Sequence, residues 1–103
     1  MSETHHFKLG GKVWPLKFTR LRSGVIGWTY LRDERNKHVQ ERILIDERTF
    51  KKRNRAALEL LIHEAYHALN PAYDESVVTQ HAADLARLLW SLGVRFEKRK
   101  DEE

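Results

Sequence analysis

Ala56-Ala57-Leu58-Glu59-Leu60-Leu61-Ile62-His63-Glu64-Ala65-Tyr66-His67-Ala68-Leu69 is the stretch on which the fold of this chain turns. It holds no Gly or Pro and is rich in Ala, Leu and Glu, so it predicts an apolar helix. His63 and His67 are four residues apart, which puts both imidazoles on one helical face, a turn from each other. Two ring nitrogens so placed can reach one tetrahedral zinc at about 2.0–2.1 Å. Glu64, next to the first imidazole, is set to take a proton from water at the metal rather than to bind the metal itself. The alternative is two core histidines and a hydrogen-bonded glutamate. Burying all three together costs several kcal/mol unless each is paired, and a metal removes most of that cost.

Outward from this helix, Lys51-Lys52-Arg53 disfavour a first turn, where the helix dipole favours acids. The helix is therefore expected to start at Asn54, a good N-cap type, and to end at Asn70-Pro71. Asp74 can cap a second helix running from Glu75 to Leu92, with Gly93 as its stop. A catalytic zinc takes three protein ligands and leaves one position open. The second helix has an apolar stripe at Val78, Ala82, Leu85 and Leu89, and a step of three back from Val78 reaches Glu75. Glu75 is thus the favoured third ligand. Asp74, better suited to capping, and His81, nearer the flank of the stripe, are the alternatives. Tyr73 stands in the turn beside the site, where its hydroxyl can donate to an oxyanion or its ring can simply pack.

Before the helix the period changes to two. Trp14, Leu16 and Phe18 alternate within residues 12–21, Ile26, Trp28 and Tyr30 within 25–31, and Val39, Glu41, Ile43 and Ile45 within 38–45. Pro15 cannot donate to a ladder, so the first strand is expected at an edge. Gly27 marks a bulge or a close backbone approach. The expected fold is α+β: a three-stranded antiparallel sheet packed on two helices in a single domain over residues 1–103, with 1–11 and 97–103 flexible.

The chain has 103 residues, 41% of them hydrophobic, enough for one modest core that a bound metal would help to stabilise. It has no cysteine, which excludes disulfides, thiolate zinc sites and a Cys nucleophile. A His and carboxylate donor set points to a catalytic zinc rather than a closed structural one. The net charge of +4 is uneven: fourteen Lys/Arg face six Asp/Glu up to Arg55, and five face nine thereafter. A basic front half suits either a solvated surface or an acidic partner such as nucleic acid. No apolar leader follows Met1 and no run approaches transmembrane length, so a cytoplasmic protein without membrane contact is expected.

His63-Glu64-Ala65-Tyr66-His67 on a helix after an antiparallel sheet resembles the zincin metallopeptidases, and Glu75 on the following helix is similar to their gluzincin branch. From Ile43-Leu44-Ile45-Asp46 to Leu92-Gly93 the chain also resembles small uncharacterised HExxH proteins of bacteria and phages. The resemblance implies His63, His67 and Glu75 as ligands of Zn2+, Glu64 as general base, and a peptide or protein substrate lying along an edge strand. The longer metzincin motif is absent, since Pro71 intervenes and no Gly-x-x-His follows. The expected function is zinc-dependent hydrolysis of an amide bond. The alternative is a catalytically silent, zinc-stabilised binding module that uses Arg48, Lys51, Lys52, Arg53 and Arg55 to hold nucleic acid or an acidic protein.

Overall fold

The computed structural model describes residues 4–97. Gly10 and Gly11 both have positive φ, 62° and 78°, the backbone that a two-residue hairpin turn needs. They join β1 (Thr4–Leu9) to β2 (Lys12–Thr19) in an antiparallel pair, with His5 opposite Leu16 and Phe7 opposite Trp14. The lead-in expected to be flexible is therefore a strand over Thr4–Leu9. The turn chemistry of Gly10-Gly11 and the alternation of His5, Phe7 and Leu9 outweigh its polar composition. Of the ends expected to be flexible, Glu97 is described and lies outside any helix or strand, while residues 1–3 and 98–103 lie outside the described residues.

Two further strands, β3 (Gly27–Tyr30) and β4 (Arg42–Asp46), complete a four-stranded sheet in the order β1-β2-β4-β3. This corrects the expected three-stranded antiparallel sheet on two helices: the sheet is four-stranded and mixed, and three helices accompany it among the described residues. β2 does not pair with β3; it runs parallel to β4, with Leu16 beside Ile43 and Phe18 beside Ile45, and β3 pairs with β4 antiparallel. The physical cause lies at the end of β4. Asp46 is buried and its carboxylate accepts from the Leu21 N–H at 3.0 Å, while its own N–H donates to the Ile26 carbonyl at 2.8 Å. Those bonds hold the segment between β2 and β3 across the end of β4 and so carry β3 to the far edge. β2 is interior, not an edge, yet Pro15 fits because the ladder to β4 opens only at Leu16.

Asp46 also caps a short helix, α1 (Glu47–Phe50), by accepting from the Thr49 N–H at 3.1 Å. The main helix, α2 (Arg55–Leu69), starts where expected: the Asn54 side chain accepts from the Ala57 N–H at 2.9 Å. Its buried residues Ala57, Leu60, Glu64 and Ala68 form one stripe. The last helix, α3 (Glu75–Ser91), has Asp74 at its N-cap, but that side chain makes no capping bond. Its C-terminus closes by a Schellman pattern: Gly93, at φ 96°, donates to the Trp90 carbonyl and Val94 to that of Leu89. The buried stripe runs Val78, Ala82, Ala86 rather than through Leu85 and Leu89. Small side chains let α3 lie close on α2, and Leu85 is left exposed.

α2 packs on one sheet face, where Trp14, Leu16, Ile43 and Ile45 meet Leu60 and Ala68. Burial of each large side chain there contributes about 1.5–3 kcal/mol. β3 contributes to this face not its aromatics but Gly27 and Thr29, while Trp28 and Ile26 stay half exposed. No helix among the described residues is long and apolar enough to cross a membrane.

Candidate metal centre

Three side chains converge at the junction of α2 and α3. His63 and His67 face the same way one turn apart, and the connection 70–74 brings the first residue of α3 over them. His63 Nε2 lies 2.6 Å from Glu75 Oε1, His67 Nε2 lies 2.9 Å from Glu75 Oε2, and the two Nε2 atoms are 3.2 Å apart. Tetrahedral zinc with Zn–N bonds of 2.0–2.1 Å holds its nitrogens about 3.3 Å from each other. The imidazole separation therefore fits such an ion, and a donor set of two imidazole nitrogens and one carboxylate fits its chemistry. His63, His67 and Glu75 form a group that can hold a metal ion. The imidazoles are mostly buried, while the Glu75 side chain is 68% exposed, so the centre opens to solvent on the α3 side.

The other candidates for the third ligand lie elsewhere. Asp74 is exposed at the N-cap, and His81, one helical turn and more along α3, brings its Nδ1 to within 2.9 Å of the Tyr66 hydroxyl. Tyr73 is half exposed and its ring contacts are with Tyr66 at 6.1 Å and His81 at 6.2 Å between centroids. Tyr66, Tyr73 and His81 thus form a ring cluster beside the centre.

Glu64 is shielded from bulk solvent. It is 6% exposed and turned toward β3, where the Thr29 hydroxyl lies 2.8 Å from Glu64 Oε1 and 2.8 Å from the Glu64 carbonyl oxygen and can donate to either. Gly27 lies against the same side chain: a Cβ there would be 2.9 Å from Glu64 Oε2. Burial pushes the Glu64 carboxyl above the usual glutamate range; the Thr29 hydrogen bond and the nearby His63 and His67 oppose that rise without cancelling it. A carboxyl so raised accepts and returns protons closer to neutrality.

Thr29 and the inward position of Gly27 went unread in the sequence beyond the hint of a close approach at Gly27. Alternation alone puts Ile26, Trp28 and Tyr30 on one face, and nothing in a single strand says that its small and polar side faces the helix. Comparison of the chain with protein-family models, with curated proteins and with solved structures found no match in any of the three.

Proposed function

We propose that the protein is a zinc-dependent hydrolase of amide bonds, with a peptide or protein as substrate. The observation that carries this reading is the convergence of His63, His67 and Glu75 to bonding distance of one point, with a buried glutamate adjacent in sequence to the first imidazole. Zinc at this point would supply a Lewis acid that polarises the scissile carbonyl and lowers the pKa of water to around 7. His63 and His67 would hold it through Nε2, and Glu75 through its carboxylate.

The remaining work falls to the chain's own residues. Glu64 takes the proton of the attacking water and delivers it to the leaving nitrogen. Thr29 keeps the Glu64 carboxylate from swinging, and Gly27 leaves the room for it to lie against the strand. β3 is an edge strand next to α2, so its outer backbone is available to an extended peptide by strand addition. Backbone pairing of this kind aligns a scissile bond without demanding a particular side chain.

Metal analysis of protein purified without chelator, together with a screen on mixed fluorogenic peptides, tests the reading. One zinc per chain is expected. Glu64→Gln should retain that zinc and the fold while losing about 10²–10⁴-fold in turnover, the usual contribution of a positioned base. Protein without stoichiometric metal, or a Glu64→Gln variant as active as the parent, overturns it.

A further inference from the structure

The face of the sheet turned away from the helices is built unlike the rest of the surface. Cross-strand pairing puts Trp28 beside Leu44 and Leu44 beside Lys17, and puts Tyr30 beside Arg42. These residues share one side, since Thr29, Ile43 and Leu16 occupy the other. Trp28 is 51% exposed there. The Arg42 guanidinium lies 3.9 Å over the Tyr30 ring, a stacked flat cation. Arg20 and Arg22, both exposed, come from the crossing segment after β2, and with Trp28, Tyr30 and Leu44 they line a shallow groove of about 410 Å³. The acid at the end of this face, Asp46, is buried and engaged by Leu21, Thr49 and Arg48. The groove therefore presents flat rings and net positive charge together.

We propose that this open sheet face binds single-stranded nucleic acid, with one base stacked on Trp28, a second on the Arg42–Tyr30 pair, and backbone phosphates against Arg20, Arg22 and Lys17. The chemistry discriminates between polyanions. A ring-free polyanion such as polyglutamate would use the cations but has nothing flat to place on Trp28. A duplex keeps its bases stacked on each other and offers this face only phosphates. Splayed bases with phosphates between them use both features at once, the combination found wherever single strands are bound without a deep pocket. The site lies on the opposite sheet face from Glu64 and the metal ligands and does not depend on what they do.

Fluorescence anisotropy with labelled single-stranded RNA and DNA 12-mers, the matching duplex, and polyglutamate tests this directly. Binding of at least one single strand is expected, tighter than duplex or polyglutamate. Trp28→Ala should weaken it about 5- to 160-fold, the range for loss of one stacked base. Arg20→Ala with Arg22→Ala should lower the slope of log K against log salt by about 1.4, at about 0.7 per phosphate contact on single strands. Lys51→Ala with Lys52→Ala, on the far side of Asp46, should change affinity little. Far-UV circular dichroism checks folding of each variant, and Trp28→Phe, which keeps a ring, should restore most of the affinity. Retention of full affinity in Trp28→Ala, loss of affinity confined to Lys51→Ala/Lys52→Ala, equal binding of duplex or polyglutamate, or no binding of either single strand at low salt would each overturn the assignment.

Discussion

Gly27→Ala isolates the positioning of Glu64 from the capture of metal. A Cβ at residue 27 would stand 2.8 Å from Leu60 Cδ1, 2.9 Å from Glu64 Oε2 and 3.0 Å from Glu64 Cγ. Carbon atoms in ordinary contact sit about 3.5–4.0 Å apart, so both side chains must retreat by roughly 0.5 Å or more. Neither has room: Leu60 and Glu64 are each only 6% exposed. Overpacking of this kind costs about 1–3 kcal/mol. For a domain of this size about 4–8 °C of Tm goes with each kcal/mol, so the variant should melt about 5–20 °C lower. The chemical effect is separate. A misplacement of about 1 Å costs about 10²-fold, so half of that should lower kcat by roughly tenfold. None of the three nearest atoms belongs to His63, His67 or Glu75, and zinc affinity should therefore stay within about threefold of the parent, roughly 0.6 kcal/mol. The assays are differential scanning fluorimetry, competition of zinc against a chromophoric chelator, and initial rates on a fluorogenic peptide. A variant that melts early yet turns over at the parental rate would refute the claim that β3 positions the base. A fall in zinc affinity matching the fall in rate would show a general distortion instead.

Glu75→Ala should weaken zinc binding at least tenfold, measured by the same competition, while Asp74→Ala should leave it unchanged. Chelator treatment should lower Tm by about 10–20 °C relative to protein held at about a hundred times the zinc Kd, since such saturation adds about 2.7 kcal/mol. Thr29→Val removes a hydrogen bond that opposes the rise of the Glu64 carboxyl; the acid limb of the pH–rate profile should move to higher pH. Burial works to raise the Asp46 carboxyl, but bonds from Leu21, Thr49 and Arg48 outweigh it and hold it down to about 2, below its ordinary 3.8. Because the folded value is the lower one, that stability is present above pH 4 or so and is lost as pH falls toward 2. Asp46→Ala should therefore cost about 1–2 kcal/mol in urea melts at pH 7, and the difference from the parent should shrink at pH 2.

The sequence was most legible where spacing maps directly onto a helix face. His63, His67 and Glu75 lie where an interval of four and a backward step of three put them, because helix geometry is set locally. Asn54 and Gly93 mark their helix ends for the same reason. The sheet was less legible because pairing is decided by distant groups. The parallel pairing of β2 with β4 follows from what Asp46 does with Leu21 and Ile26, residues that no local pattern connects to it. β1 was hidden by its polar composition although Gly10-Gly11 carries the turn that makes it. Which face of β3 meets the helix is not legible for a different reason. Its bulky residues look like core, yet the helix needs the small side so that Glu64 can lie there. Thr29 was missed with it, since a single threonine among aromatics has no signature.

The three candidate ligand side chains all come from one helical hairpin, whereas Thr29 reaches Glu64 from 35 residues earlier in the chain. Helical hairpins form quickly because their contacts are local, and strand pairings across long loops come later. A newly made chain would thus, on the proposed chemistry, load its ion while Glu64 still swings free. On the proposed chemistry, cutting power is the last property to mature, and a half-folded molecule stays harmless to itself and to its neighbours.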